Sequence, residues 1–342
     1  MRRKFYLFVF ISLVALVSRA QIGGEYTYQF LELTNSARIA ALGGTQVAIS
    51  DSSDLNLPYH NPSLLHAEMS NRLLVNYVNY LTDVNYGYVS YAKSYEGIGN
   101  FALGVHYINY GKFQEALVTG ELTGATFKAA EYALNLIYSN RYKRLNYGVN
   151  LKPVFSSFES YQSFGIAADL GVNFTSKSGY TTVGAVVRNF GTQITTYYQN
   201  GDHEKIPFNL QMGISQRLKH APVMLSATLQ HLNHWDLAAS DTETEFNTET
   251  IYQYDESFLK QFMRHLVLGV ELQPSKNFAL RAGYNYQRRQ ELMFEDKTST
   301  VGFSAGFGVH VKRFRLDYGI SRFHLAGSSN LFSLSINLND NY

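Results

Sequence analysis

Residues 302–306 read Gly-Phe-Ser-Ala-Gly, the spacing of a nucleophile elbow. That chemistry needs a strained turn from strand to helix, so that the serine hydroxyl stands clear of the backbone. Here the five residues lie inside an unbroken apolar/polar alternation, which puts Ser304 on the polar face of a strand and lets the glycines relieve crowding where a sheet curves. His231 and His234, with Asp236 and the distant His203-Glu204, could supply imidazole and carboxylate ligands to a metal. At a strand end rather than on a helix, however, these side chains diverge, and rim polarity is the expected role. Asp51-Ser52-Ser53-Asp54 lacks the spaced ligands and bidentate Glu of a calcium loop and reads as a turn cap. No catalytic residue, metal ligand or cofactor-binding residue is expected, and an enzyme is not the expected class.

These groups must be placed by the elements around them, and from about Leu73 the chain settles into segments of eight to twelve residues that alternate apolar and polar. In one, Phe164, Ile166, Ala168, Leu170, Val172 and Phe174 share a face, opposite Gly165, Ala167, Asp169, Gly171 and Asn173. The same pattern runs over Asn277–Gln287, Val301–Val311 and Phe332–Leu338. Such lengths suit tilted strands crossing a bilayer. About fourteen segments begin near residues 73, 84, 98, 131, 145, 164, 180, 207, 222, 264, 277, 299, 314 and 331. The first two alternate least cleanly. Short connections (Lys93–Gly97, Arg141–Arg144, Ser176–Gly179, His220–Ala221, Pro274–Lys276, Lys312–Arg313) take turns with longer ones (Gly111–Ala130, Ser156–Ser163, Gly191–Ile206, Asn233–Arg264, Arg288–Ser299, His324–Asn330). Only Leu81–Asp83 is short where a long loop is due. That parity is the habit of outer-membrane barrels, with short periplasmic turns and longer outer loops, and it places both termini in the periplasm.

Composition agrees. Aromatics make up 15% of the chain, with 26 Tyr and 23 Phe but 1 Trp, as interfacial girdles require. A mean hydropathy of −0.18 and the lack of a later apolar run of about 18 residues argue against spanning helices, while a barrel's two faces cancel in any average. A soluble β-sandwich would also show one apolar face per strand, but not this strand length, aromatic load and loop parity together. The charged Asp169, Glu271, Arg281, Arg315 and Asp317 are too costly to place against lipid and belong on the interior face, either as a polar conduit or as ion pairs that fill and stiffen a closed barrel.

The first residues, Met1-Arg2-Arg3-Lys4 followed by an apolar run from Phe5 to Val17 and Ser18-Arg19-Ala20, read as a secretory signal peptide cut after Ala20. Removing Arg2, Arg3, Lys4 and Arg19 from the 29 basic residues leaves 25 against 27 acidic, a net charge of −2, so a nucleic-acid partner lacks its electrostatic motive. With no cysteine there is no disulfide framework. The expected organisation is a signal peptide over 1–20, an N-terminal periplasmic or plug segment over 21–72 and a transmembrane antiparallel β-barrel over 73–342. The fold class is all-β.

Within 21–72, Ser36-Ala37-Arg38, Ala41-Leu42-Gly43-Gly44 and Asn61-Pro62-Ser63 resemble the start of the fatty-acid-transporter-like barrels and their relatives in Bacteroidetes. Val75-Asn76-Tyr77-Val78-Asn79-Tyr80, Glu131-Tyr132-Ala133-Leu134-Asn135, Arg217-Leu218-Lys219-His220-Ala221-Pro222 and Gly283–Glu291 are similar to the PorQ-type accessory barrels of the type IX secretion system. That resemblance implies a non-enzymatic barrel in the outer membrane, among its lipids, anchoring surface partners of the cargo-attachment complex: PorZ, the sortase PorU and the related barrel PorV. The fatty-acid-transporter-like N-terminal segment implies the alternative, a transporter or channel for small hydrophobic molecules.

Overall fold

The computed structural model describes residues 26–80, 83–117, 119–198, 201–237, 241–245, 248–252, 257–292, 300–324 and 327–339. The expected signal peptide lies outside them. The strands are β1 (Arg72–Asn79), β2 (Asn85–Tyr95), β3 (Gly99–Ala116), β4 (Leu122–Tyr142), β5 (Leu145–Phe158), β6 (Tyr161–Thr175), β7 (Thr181–Thr195) and β8 (Asn209–Arg217). They continue with β9 (Val223–Leu229), β10 (Asp241–Glu245), β11 (Thr248–Tyr252), β12 (Leu266–Ser275), β13 (Phe278–Asn285), β14 (Phe303–Val311), β15 (Phe314–His324) and β16 (Gly327–Asn337). Short helices α1 (Ala37–Ala41) and α2 (Leu57–His60) precede the barrel, while α3 (Phe258–His265) and α4 (Tyr286–Leu292) lie in its loops.

Fourteen of the strands, all but β10 and β11, form one closed antiparallel barrel. β16 returns to β1 in the register Arg72↔Asn337 to Asn79↔Asn330, so no edge is left unpaired. The alternation read from the sequence sets the two faces: Leu170, Val172 and Phe174 of β6 are exposed outward, while Asp169, Gly171 and Asn173 are buried inward. Exposed Leu, Val, Phe and Tyr side chains continue around the outside, where a bilayer removes them from water.

Several boundaries differ from the sequence reading, each for a local reason. The expected loop Gly111–Ala130 is mostly strand, because β3 and β4 pair far past the apolar band into a solvent-exposed hairpin. The expected loop Ser156–Ser163 shrinks to a turn between Phe158 and Tyr161. Asn233–Arg264 contains the β10–β11 hairpin and α3. β13 stops at Asn285, whose side-chain oxygen accepts from the Arg288 N–H at 3.0 Å and so starts α4 where strand was expected as far as Gln287. Val301, expected on the outer face, is buried in the turn before β14.

Candidate functional site

Residues 26–71 run through the barrel interior, and most of their side chains are fully buried. Their course is set at the top by Tyr26, which bridges Lys205 in the β7–β8 connection, and by Thr27, whose N–H donates to the Lys205 carbonyl at 2.8 Å. That connection belongs to the long-loop rim. The segment then descends to Asn71 at the short-turn rim, where β1 begins. The described chain therefore begins at one rim and ends at the other, and the termini themselves, both expected in the periplasm, lie outside the described residues. The segment is drawn up into the lumen rather than laid across its mouth.

Ser36 caps α1 by accepting from the Ile39 N–H at 3.3 Å. The helix ends at Leu42-Gly43-Gly44, both glycines having positive φ (102° and 100°), with the Gly44 N–H returning to the Ile39 carbonyl at 2.9 Å. This single turn of helix lies against β14, β15 and β16: Ser333 receives the Ala37 N–H at 3.0 Å, and Ser304 both receives the Gly43 N–H and donates to the Ala41 carbonyl, at 3.1 Å each. Ser304 is thus a docking point for the segment's backbone. A methyl at Gly283 would collide with the Gly43 nitrogen, and one at Gly319 with the Ala37 carbonyl. These wall glycines make room for the plug, and of the two that the sequence reading had relieve sheet curvature, Gly302 lies in the turn before β14 while a methyl at Gly306 would meet Ala41 of the plug and the Tyr318 carbonyl of β15.

Arg38, on α1, is 1% exposed and is the centre of an ionic lattice. Its guanidinium holds Glu271 of β12 bidentately (2.9 and 2.7 Å) and donates to Asp51 and Asp54 at 2.8 Å each. Arg281 joins Glu271 and Asp317 at 2.7 Å, and Arg315 joins Asp317 at 2.9 Å and Asp51 and Asp54 at 3.2 Å. Burial raises the carboxyls of Asp51 and Asp54, but the arginines outweigh it and hold both below the usual carboxylate range. Asp51 also caps its turn as expected, its other oxygen accepting from the Ser53 N–H at 3.0 Å. Four of the interior charges named from sequence, Glu271, Arg281, Arg315 and Asp317, meet here. Asp169 does not: it pairs with Lys152 at 2.6 Å in a second cluster. There a bulge in β7 turns both Arg188 and Asn189 inward, so that Arg188 reaches the Leu31 carbonyl (3.1 Å) and Asn189 reaches Glu32 (2.8 Å).

At the long-loop mouth the plug and the wall form an open cleft of about 370 Å³, lined by Tyr26, Tyr28, Tyr110, Phe158, Tyr197 and Tyr198, with Glu131 in its lining. Tyr110 and Phe158 rings lie 5.6 Å apart, and Phe158 and Tyr197 5.9 Å. The Tyr110 hydroxyl donates to Glu131 at 2.6 Å, and Tyr197 to Ser156 at 2.6 Å. Burial pushes the Tyr28 hydroxyl up to about 12. The pocket thus offers ring faces and a few oriented oxygens. At the opposite mouth a polar recess of about 160 Å³ ends on Arg38, Glu271, Arg281 and Arg315. His203 Nδ1 donates to the Gln193 carbonyl (3.0 Å), and among the described residues no group of three or more His, Cys, Asp or Glu could hold a metal.

Sequence reading missed the pocket and the partners Arg38, Asp51 and Lys152. The pocket is assembled from residues far apart in the chain, so no local spacing marks it. Arg38 carried a signal: a lone cation in a short apolar helix, followed by two acids.

Fold and site together define a plugged fourteen-stranded β-barrel of the outer-membrane type. The chain is similar in structure to the Pseudomonas putida toluene transporter TodX, with a TM-score of 0.51 at 13% identity, over 89% of this chain and 96% of that one. It is likewise similar to the deltaS2 mutant of the TodX monoaromatic hydrocarbon channel, with a TM-score of 0.53 at 13% identity, over 90% of this chain and 100% of that one. No family model matches the chain, and no curated protein matches it.

Proposed function

We propose that the protein is an outer-membrane channel, shut by its own N-terminal segment, that takes small hydrophobic molecules, aromatic ones foremost, at the tyrosine-lined pocket of its cell-surface mouth. The short-turn rim then faces the periplasm. The observation that carries this reading is that Tyr26, Thr27, Tyr28 and Gln29 of the plug form one wall of the pocket, so a ligand bound there touches the element that closes the lumen. Ring faces match an aromatic guest, and the Glu131 and tyrosine oxygens orient a polar substituent. The likeness to a toluene transporter supports the same choice. The test is saturation-transfer NMR of toluene with the barrel in nanodiscs, paired with uptake into liposomes. Saturable binding and uptake, both reduced by Tyr28→Ala and Tyr197→Ala, are expected; binding no greater than in empty nanodiscs rejects the reading.

A second reading, an anchor for PorZ and the PorU/PorV attachment complex of type IX secretion, draws on the saturated ionic lattice, which suits a permanently closed barrel, and on the projecting β3–β4 hairpin. Copurification of those partners with the intact barrel, but not after removal of the long loops, would support it. Unchanged recovery after removing every long loop would count against it.

A further inference from the structure

Charge is sorted between the two rims. On the short-turn rim the β4–β5 turn carries Arg141, Lys143 and Arg144, and the β6–β7 turn Lys177. Arg217 and Lys219 flank the β8–β9 turn, Lys276 sits between β12 and β13, and Lys312 and Arg313 between β14 and β15. Each of these turns carries cations and no acid, and the acids at this rim among the described residues are Glu96 in the β2–β3 turn and the exposed Glu68 just before β1. The opposite rim mixes both signs. The salt bridges found among the described residues lie in the lumen and involve none of the collar cations.

The cations stand where the apolar band ends. Lys143 Nζ lies 5.2 Å from the centre of the Tyr142 ring, Lys219 Nζ 5.7 Å from Tyr180 and the Arg313 guanidinium 5.9 Å from Phe314. Tyr142 and Phe314 are outward-facing and exposed. Rings at that level mark the headgroup layer of a bilayer. On the barrel's outer surface an apolar furrow of about 430 Å³, lined by Tyr91, Phe101, Leu103, Leu136 and Tyr138, runs to this level and includes Lys93. Lys93 donates to the Asn71 side chain at 2.8 Å, one of three hydrogens an ammonium can give.

We propose that the short-turn rim is a collar for anionic phospholipid, its cations holding headgroup phosphates and the furrow beside Lys93 receiving an acyl chain. This goes beyond the channel reading and needs only that the barrel spans a bilayer. A soluble acidic partner would match the charge but not an apolar furrow continuous with the lipid-facing band.

The experiment is native mass spectrometry of the delipidated barrel titrated with phosphatidylglycerol or with phosphatidylcholine of the same chains. The wild type is expected to retain phosphatidylglycerol preferentially, less so as salt rises. Replacing Lys93, Arg141, Lys143 and Arg144 by Gln should weaken that retention by roughly fivefold per cation that contacts lipid. Lys112→Gln with Lys128→Gln, at the opposite rim, should leave it unchanged, and heat-modifiable migration confirms that each variant is folded. Equal retention of the two lipids, an unaltered preference in the collar variant, or an equal loss in the opposite-rim variant overturns the proposal. So does capture of an acidic protein by the collar in the absence of any lipid preference.

Discussion

Arg38 ties α1 and the Asp51–Asp54 turn of the plug to strand β12 of the wall. Its guanidinium offers five donors in a fixed fork, and three carboxylates, two from one turn of the plug and one from a barrel strand, accept four hydrogen bonds from it. Removing it strands Asp51, Asp54 and Glu271 with too little positive charge, an imbalance that typically costs about 3–5 kcal/mol in a buried pair. Arg38→Leu should therefore loosen residues 26–71 while leaving the barrel closed; limited proteolysis of folded protein should cleave in that segment and nowhere in the strands. Intact protein at wild-type protease levels would refute this. The pH dependence follows from Asp51 and Asp54. Their carboxyls are held below the unfolded value of about 4, so their contribution is fully present above that pH and is lost as pH falls through the depressed values. The difference in plug protection between wild type and Asp51→Asn with Asp54→Asn should thus be flat from about pH 7 to about pH 4 and shrink only below it, as measured by hydrogen exchange of residues 36–56. Both proteins share a decline below about pH 6.5, because burial holds the His60 and His66 imidazoles below their ordinary value and opening the plug takes up their protons. A difference that already shrinks between pH 7 and pH 5 would contradict the lattice. At this scale sequence gave part of the answer. Glu271, Arg281, Arg315 and Asp317 declared themselves as interior charges by their place in strand alternation, but Arg38 sits in a segment with no period, so its partners stayed hidden until the chain was folded.

The plug is kept in register by shape as well as charge. α1 is one turn of helix, far too short to be stable alone, and exists because Ser36, Gly43 and Gly44 satisfy its ends and Ser304 and Ser333 take its backbone. Gly283→Val would drive a side chain into Gly43 and push the helix off the wall. The expected result is a folded barrel with increased single-channel conductance in planar bilayers, whereas a sealed bilayer indistinguishable from wild type would show that α1 does not define the closure. The β3–β4 hairpin is the opposite case: from Lys112 to Thr126 its described residues are exposed on both faces, so excising residues 112–127 should leave heat-modifiable migration and thermal midpoint almost unchanged. The start and direction of the barrel strands were legible because lipid on one side and a polar lumen on the other impose a period of two. β1 and β2 were the least regular for a physical reason. Leu74, Val78, Tyr86 and Tyr88 point inward against apolar plug residues such as Tyr59 and Met69, so both faces of these strands are apolar.

For the molecule as a whole, orientation is the property from which the rest follows, and it can be tested without any ligand. β1 starts at Arg72 and β16 ends at Asn337 on the short-turn rim, and an antiparallel barrel then sends the connections after β3, β7, β9 and β13 to the other rim. Outer-membrane barrels place their short turns in the periplasm. The β10–β11 hairpin lies in the β9–β12 connection, on the far side from the turn after Ser275. The segment from Asp241 to Thr250 is rich in acid and threonine, too polar to rest in hydrocarbon, and so belongs in solvent or on a partner. An epitope inserted near Thr248 should be labelled on intact cells, and one at Ser275 only after the outer membrane is opened. The reverse pattern would invert the barrel, place the tyrosine pocket in the periplasm and turn the basic collar outward. Because Tyr26 is tied to the Thr248 side of the barrel and Asn71 to the Ser275 side, a third epitope joined before residue 26 decides the path of the plug: surface labelling matching that of Thr248 means the segment rises through the lumen, while labelling only in opened cells means it never enters.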